Sequence, residues 1–135
     1  MIIRSRFPVD DAVLSALHSR AFGVPVEVKK WSSQLNRHAL TWLGAFDAGD
    51  ELIGFVQVAW DGGGHAFILD TAVDPAAQGR GVGAALVRTA AAEAKAAGCD
   101  WLHVDYEPHL DHFYRDRCGF RPTQAGLISL DSQAT

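Results

Sequence analysis

Residues 73–86 of the chain read VDPAAQGRGVGAAL. An apolar run ends at Val73, a short loop follows, and glycines stand where an alanine-rich helix opens. Glycines let the backbone approach a bulky anion closely, and the first turn of a helix offers unpaired N–H groups at its positive dipole end. The segment therefore predicts a binding site for a pyrophosphate group.

Two other phosphate-binding motifs fit this segment less well. A P-loop needs Gly-Lys-Ser or Gly-Lys-Thr after its glycines, and neither occurs here. Gly79, Gly81 and Ala84 do match the dinucleotide fingerprint G-x-G-x-x-A. However, five residues separate Val73 from Gly79, where the dinucleotide fold turns tightly from strand to glycine. Too little chain follows Gly98 to build the rest of a parallel sheet, so the dinucleotide interpretation is not favoured.

Upstream of the glycines, the hydrophobic pattern predicts three strands, at residues 41–46, 52–60 and 66–73. Residues 48–50, Ala-Gly-Asp, are a turn signal between the first two strands. Residues 61–64, Asp-Gly-Gly-Gly, favour a hairpin connection, because glycines accept the positive φ values of such turns. The three strands are therefore expected to form an antiparallel meander.

The other predicted elements surround this meander. A short strand at residues 2–4 precedes a helix from about Asp10 to Phe22 and a second helix at about 27–38. After the loop the pattern predicts a helix at about 81–97, a strand at 101–106, a helix at 109–117, strands at 120–123 and 126–130, and a frayed tail from Asp131. The order β-α-α-β-β-β-α-β-α-β-β predicts a single α/β domain over residues 1–135.

Composition narrows the class of protein. The 135 residues suit one compact domain, and the 48% hydrophobic and 21% charged content is that of a soluble globular protein. The net charge is -4, and Lys29-Lys30 is the only adjacent basic pair. We therefore expect no nucleic-acid-binding surface.

Neither a membrane nor a metal is predicted as a partner. No apolar stretch has the length of a membrane span, and the N-terminus lacks the apolar region of a signal peptide. Cys99 and Cys118 have neither metal-site spacing nor the density of a disulfide scaffold. His109 and His112 lie close in sequence but have no neighbouring cysteine, which is poor evidence for a metal. The expected location is the cytoplasm.

Two motifs in this order resemble one family. Gln78-Gly79-Arg80-Gly81-Val82-Gly83 resembles the Q/R-x-x-G-x-G/A signature of the GNAT superfamily of N-acetyltransferases, and Val73-Asp74-Pro75 before it is typical of that family. Residues 113–120, FYRDRCGF, are similar to the family's later aromatic helix ending in Gly-Phe. The resemblance implies an α/β fold with a mixed, mostly antiparallel sheet and helices on both faces. It also implies transfer of an acetyl group from acetyl-CoA to a primary amine by direct attack in a ternary complex.

The resemblance further implies which residues bind the coenzyme. Backbone groups of Ala72 and Val73 are expected to hydrogen-bond the pantetheine arm, and the N–H groups of residues 79–84 to hold the pyrophosphate. Arg80 either contacts a phosphate or is a solvated loop arginine. The residues implied in binding acetyl-CoA are Ala72, Val73, Gln78, Gly79, Arg80, Gly81, Val82, Gly83 and Ala84.

Tyr114 matches the family's usual general acid, which protonates the departing thiolate. The alternative is a buried tyrosine that packs beside Phe113. The chain departs from the family upstream of this pair, where Glu107 and Leu110 occupy positions that often hold Asn and Ala. The missing Asn removes an expected polar contact from that wall of the site.

A general base must take a proton from the attacking ammonium, because only a neutral amine is a nucleophile. Asp70, on the strand that leads into the loop, is the first candidate, although its strand neighbours are apolar. His103 and Asp105 are alternatives, expected on one face of the next strand. Each of the three could instead be a structural hydrogen-bonding group.

The acceptor is not identified by the sequence. Phe22, Trp31 and Trp60 could line its side of the site, but large aromatic residues are first of all core residues. A small-molecule or peptide amine is expected, and a homodimer is compatible with a small domain of this family. The competing interpretation is a non-catalytic module of the same fold that binds acyl-CoA.

Overall fold

A computed structural model of the protein describes residues 1–131. The chain forms two compact units, Met1–Val104 and a second that begins at Asp105. The first unit contains the sheet and the three α-helices, and the second contains two short helical segments. The sheet and the glycine-rich loop therefore belong to one unit.

Five strands form one sheet in the order β1-β2-β3-β4-β5. They are β1 Ile2–Ser5, β2 Ala39–Phe46, β3 Leu52–Trp60, β4 His65–Val73 and β5 Trp101–Val104. The first four strands pair antiparallel, and β4 pairs with β5 in parallel. The predicted meander is thus confirmed as β2, β3 and β4, which begin within two residues of the expected positions.

Three α-helices belong to the first unit: α1 Asp11–Phe22, α2 Trp31–His38 and α3 Val82–Ala96. Asp10 caps α1, because its Oδ1 atom accepts from the backbone N–H groups of Ala12 and Val13 at 3.0 and 3.1 Å. Gly23 ends the same helix in the left-handed conformation, with φ of 66°. The predicted bounds of α1 and α3 are correct to within one residue.

The second helix begins later than predicted, at Trp31 rather than at residue 27. Pro25, Val26 and Val28 lie in the segment before it, and β-branched residues lose side-chain freedom in a helix. Residues 24–30 are consequently a non-helical connection between α1 and α2. This connection forms part of the cavity described below.

The helices lie on both faces of the sheet, as predicted. Phe55 of β3 packs edge-on against Trp31 of α2, with ring centroids 5.9 Å apart. The neighbouring residue, Gly54, lies against Val82 and Leu86 of α3, where an added Cβ would approach each side chain to 2.9 Å. Consecutive strand residues point to opposite faces, so α1 and α2 cover one face and α3 covers the other.

In the second unit, the single helix predicted at residues 109–117 is replaced by two short helical segments. A 3₁₀ turn at Pro108–Leu110 is followed by a π-helix at His112–Arg117, closed by a bond from the N–H of Cys118 to the carbonyl of Phe113 at 3.0 Å. Single π-turns are rare and often occur at functional sites. β5 also ends at Val104, two residues before the predicted end.

The last two predicted strands, at 120–123 and 126–130, are wrong: between residues 105 and 131 the structure contains no strand. Alternation of apolar residues expresses only a propensity, whereas a strand needs a neighbouring edge to pair with. Pro122 also lacks the N–H that a ladder requires. Three apolar side chains of this segment are exposed: Leu127 88%, Ile128 80% and Leu130 91%. The predicted frayed tail lies, beyond residue 131, outside the described residues.

The α/β class with a mixed, mostly antiparallel sheet is confirmed. Within residues 1–131, no helix combines the length and the apolar character needed to cross a membrane.

Candidate functional site

The glycine-rich loop follows β4 directly. Asp74 caps a 3₁₀ turn at Pro75–Ala77, because its Oδ1 atom accepts from the N–H of Ala76 at 3.0 Å. Gly79 and Gly81 then adopt φ values of 77° and 79°. A Cβ added at either glycine would meet nothing within 4 Å, so the left-handed backbone, and not crowding, requires glycine here.

The start of α3 presents free donors. Gly81 is its N-cap residue, and no side chain among residues 1–131 caps it. The first bond of the helix runs from the N–H of Ala85 to the carbonyl of Gly81 at 3.1 Å. The N–H groups of Val82, Gly83 and Ala84 therefore lie outside the helical ladder, as anion-binding helix starts require.

Two long side chains of the loop bind the loop itself. Arg80 donates from Nη2 to the carbonyl of Ala76 at 2.9 Å, and Gln78 donates from Nε2 to the carbonyl of Val73 at 3.4 Å. The guanidinium of Arg80 has further N–H donors beyond this contact. Its observed role is to fix the loop.

β4 extends beyond the strand that it pairs with on one side. The parallel ladder to β5 runs from His65 and Trp101 to Ile68 and Val104. On the other side β4 continues to pair with β3 as far as Val73. Within the described chain, the last residues of β4 thus have a strand on only one side, which leaves an edge suited to an extended amide-bearing ligand.

Thr71, in this last part of β4, has a buried hydroxyl with no hydrogen-bond partner among residues 1–131. Buried polar atoms are normally satisfied, and an exception calls for a bound water or ligand. An orphaned hydroxyl next to Ala72 and Val73 is compatible with the amide-rich pantetheine arm of coenzyme A.

A β-bulge directs the side chain of Asp70. Asp70 and Thr71 together oppose Val56 of β3, because Phe55 pairs with Ala72 and the next paired residues are Gln57 and Leu69. Asp70 has φ of 58°, which is uncommon for a residue other than glycine. The extra residue turns the carboxyl of Asp70 toward the face covered by α1.

On that face Asp70 contacts two polar side chains. His18 of α1 lies with Nε2 3.3 Å from Oδ1, and Gln57 of β3 donates from Nε2 to Oδ2 at 2.6 Å. Gln57 is buried, whereas 30% of the Asp70 side chain is exposed. These partners explain how a carboxylate is tolerated among apolar strand residues.

Neither His18 nor Gln57 was predicted as a site residue from the sequence. Gln57 interrupts the otherwise apolar run of β3, and His18 follows Leu17 within the buried stripe of α1. A polar residue inside each of these apolar patterns was the sequence feature that could have indicated a site. The partner that linked them, Asp70, lies 52 residues from His18 in sequence.

A cavity of about 410 Å³ opens beside His18. Its walls come from α1, the connection 24–30 and the first residue of α2: Ser15, His18, Ser19, Val24, Pro25, Val26, Glu27, Lys29 and Trp31. The hydroxyl of Ser15 fixes this wall, because it accepts from the N–H of Lys29 at 3.0 Å and from Nε1 of Trp31 at 3.1 Å. The volume is within the range of small-molecule sites.

The predicted aromatic residues separate into two groups. The rings of Phe22 and Trp31 lie 4.5 and 5.3 Å from the ring of His18. Trp60, at the end of β3, is not among the residues that line the cavity. The first two therefore belong to the surroundings of His18.

The alternative bases occupy other surroundings. Nε2 of His103 lies 2.7 Å from Nδ1 of His65, and its ring stacks on Phe67 at 4.6 Å. Asp105 follows the end of β5 and lies in the second unit, so the expectation that it shares a strand face with His103 is wrong. Asp70 contacts the cavity wall through His18.

Tyr114 belongs to the π-helix of the second unit and is 6% exposed. Its ring stacks on Tyr106 at 4.9 Å and contacts Phe113 and Phe120 edge-on at 4.8 and 5.8 Å. The bond that Tyr106 donates to Asp111, at 2.9 Å, raises the pKa of the Tyr106 phenol. Tyr114 is thus held by rings on several sides.

Among residues 1–131, no three His, Cys, Asp or Glu side chains cluster as metal ligands would. The potential reacting groups of the first unit are instead a carboxylate, an imidazole and a row of backbone donors. This set can bind an anion and accept a proton.

Comparison with known proteins agrees with this geometry. The sequence model of the Acetyltransferase (GNAT) family matches residues 12–120. A protein of Oryza sativa subsp. japonica, named probable glucosamine 6-phosphate N-acetyltransferase 2, is 42% identical over 59 residues. That match covers 44% of this chain and only 35% of the length of the rice protein.

Solved structures share the fold. An acetyltransferase of Trypanosoma brucei, 21% identical, superposes with a TM-score of 0.78 over 96% of this chain and 99% of its own. A GNAT family N-acetyltransferase of Escherichia coli, in complex with CoA, is 24% identical, with a TM-score of 0.71 over 89% of this chain and 68% of its own. Because the family model spans well over half of the sequence, the chain belongs to the GNAT family of acetyltransferases, whose acetyl donor is acetyl-CoA.

Proposed function

We propose that the protein transfers the acetyl group of acetyl-CoA to a primary amine by direct attack, with both substrates bound together. One observation carries the proposal: Gly79 and Gly81, in the left-handed conformation, lead into the uncapped first turn of α3. Such a start of a helix binds phosphate groups well. It follows the open end of β4, where an extended arm can pair with the strand.

In this proposal the N–H groups of residues 79–84 bind the pyrophosphate, and Gln78 and Arg80 keep the loop in shape. The backbone of Ala72 and Val73 binds the pantetheine arm, and the Thr71 hydroxyl gains a partner. Asp70 directly precedes Thr71 in the bulge and faces His18. An arm bound along residues 71–73 would therefore bring its reacting carbonyl close to the His18 side of the sheet.

Tyr114 is proposed to protonate the thiolate that leaves. A phenol is a donor that can hydrogen-bond a sulfur as negative charge develops on it. The rings of Tyr106, Phe113 and Phe120 that pack on Tyr114 support this role, because close packing limits the freedom of its side chain.

Asp70, in contact with His18, is proposed to take part in removing the proton from the acceptor's ammonium. Its contact with His18 links it to the cavity of about 410 Å³, which we propose as the acceptor site. Glu27 and Lys29 on the cavity wall provide one charge of each sign. An amine that also bears an anionic group, such as glucosamine 6-phosphate in the name of the rice relative, is a suitable first acceptor to test.

Calorimetry with acetyl-CoA, CoA, NAD and ATP tests the donor. We expect binding of both CoA species and not of NAD or ATP, and failure to bind either CoA species would overturn the proposal. Release of free thiol with a panel of amines, including glucosamine 6-phosphate, then tests the reaction. Binding of acetyl-CoA with no thiol release from any amine would favour the non-catalytic module instead.

A further inference from the structure

We infer that His18, oriented by Asp70, is the general base that takes the proton from the attacking amine. This inference rests on the proposed function. An ionised carboxylate only accepts hydrogen bonds. Because Nε2 of His18 faces Oδ1 of Asp70, this nitrogen carries the proton of the neutral ring. The lone pair is then on Nδ1, which has no hydrogen-bond partner among residues 1–131.

Asp70 itself is less suited to take the proton. Both of its oxygens are already engaged, Oδ1 by His18 and Oδ2 by the short 2.6 Å bond from Gln57. In this arrangement Asp70 fixes the tautomer of His18 and stabilises the imidazolium that forms, as the carboxylate does in a His–Asp pair. Asp70 is thus a positioning residue, and His18 is the catalytic one.

The surroundings of His18 fix its ring and open it to the cavity. The rings of Phe22 and Trp31 lie against it, and its side chain is 19% exposed. His18 is also part of the cavity wall. Aromatic faces attract a cationic ammonium, so the same rings would hold the acceptor next to the imidazole.

The proton balance of the step is complete. The ammonium gives one proton to Nδ1 of His18, and the neutral nitrogen forms the C–N bond to the acetyl carbon. The C–S bond breaks and the sulfur takes the phenol proton of Tyr114, the proposed acid. The nitrogen then loses its second proton, which restores the Tyr114 phenol, and His18 passes its proton to the solvent. The net products are the amide, free CoA and one proton released to the solvent.

The charged groups that face His18 from its neighbours are Asp70 of β4 and, on the cavity wall, Glu27 and Lys29. Gln57 of β3 and Trp31 of α2 carry no charge. Protonation of His18 removes the base, so kcat/KM of the wild-type protein should fall toward acid pH. Because the acceptor amine is itself protonated toward acid pH, every variant should lose rate there, but the decline should be steeper in the wild type and in His38→Gln than in His18→Gln.

The test compares His18→Gln with His38→Gln, a matched change at an exposed histidine at the end of α2. We expect His18→Gln to lower kcat about 100-fold or more, with the affinity for acetyl-CoA within twofold of the wild type. His38→Gln should retain the wild-type rate. Added imidazole should restore part of the rate of His18→Ala, which a purely structural role of His18 would not allow.

Nitrogen-15 NMR of the wild-type protein provides a readout that does not depend on turnover, and we expect the Nε2-protonated tautomer of His18. Asp70→Asn should lower that population and the rate together. A rate of His18→Gln within twofold of wild type would overturn the inference while leaving the transferase intact. So would a loss of rate that is equal at every pH in His18→Gln, together with no rescue of His18→Ala by imidazole. Absence of transfer by the wild-type protein to every amine would instead overturn the proposed function, and the inference with it.

Discussion

Arg20 of α1 binds Asp74, the residue that caps the turn after β4. Nε and Nη2 of Arg20 lie 3.1 and 3.0 Å from Oδ2 of Asp74, across 54 residues of sequence. The other carboxyl oxygen accepts from the N–H of Ala76 at 3.0 Å. One carboxylate therefore joins α1 to the beginning of the glycine-rich loop.

Stability should depend on the charge of Asp74. The N–H of Ala76, and after it the Arg20 guanidinium, hold the pKa of Asp74 below its ordinary value of 3.8, although burial opposes the shift. The stabilisation is present above the ordinary value and is lost as pH falls through the lower folded value. Asp74→Ala should cost about 1 kcal/mol of unfolding free energy at pH 7.

Urea unfolding at several pH values measures this difference, which should shrink as the pH falls below about 3.8. Asp74→Asn keeps a capping oxygen and removes the charge, so it separates the cap from the ion pair. A gap between wild type and Asp74→Ala that is the same at pH 7 and pH 3 would contradict the assignment.

Gly81→Ala should weaken acetyl-CoA binding. A Cβ at φ of 79° costs about 1–2 kcal/mol, and relief of that strain rotates the donors at the start of α3. We expect Kd to rise by about fivefold to thirtyfold in calorimetry. Gly49→Ala is the control, because that turn glycine has no positive φ and its added Cβ would lie an ordinary 3.4 Å from Asp47. Equal affinities for the two variants would count against the loop as the phosphate site.

Tyr114→Phe should lower kcat by about 100-fold or more if the phenol protonates the thiolate, with acetyl-CoA affinity nearly unchanged. Tyr106→Phe is a matched control, since it removes a hydroxyl that donates to Asp111 and keeps a ring stacked on Tyr114. We expect this control to retain turnover in a thiol-release assay. An unaltered rate of Tyr114→Phe across the pH range would remove Tyr114 from the mechanism.

Glu93 of α3 should be important for stability and not for chemistry. Its Oε1 atom accepts from the hydroxyls of Thr41 and Ser5 at 2.6 and 2.7 Å, so it joins α3 to β2 and β1. Glu93→Ala should lower the free energy of unfolding by about 1.5–3 kcal/mol, because hydrogen bonds to a charged group are lost and Thr41 is buried. Urea denaturation checks this, with the exposed Glu51→Ala as the control; equal midpoints would contradict it.

Much of the fold was predictable because its signals are local. Capping at Asp10, the glycines at 61–64 and the apolar periods of β3 and α3 each act within a few residues. The strands expected after Phe120 failed because pairing depends on a partner edge, which a local pattern does not specify. The π-turn around Tyr114 was missed for a related reason, since helical period alone does not distinguish its bonding from an α-helix.

The candidate site divides in the same way. The loop proposed to bind phosphate could be predicted from residues 78–84 alone, because its glycines and backbone donors are consecutive in sequence. The partners of Asp70 could not, because His18 and Gln57 meet it only after α1 and β3 pack on β4. The cavity next to His18 also depends on the non-helical residues 24–30, which the sequence placed partly in a helix.

The bulge in β4 has a consequence for how this chain can change in length. Before the bulge, the even-numbered residues Ala66 and Ile68 are buried on the α3 face. An uninterrupted strand would continue that parity, and the carboxyl of Asp70 would enter the apolar layer under α3. Deleting Thr71 would therefore remove the extra residue, leave Ala72 opposite Phe55 and turn the carboxyl of Asp70 toward α3, whereas the exposed turn residues 61–63 should tolerate a deletion of one residue. The number of residues between Leu69 and Ala72 therefore determines whether the carboxyl of Asp70 can reach His18.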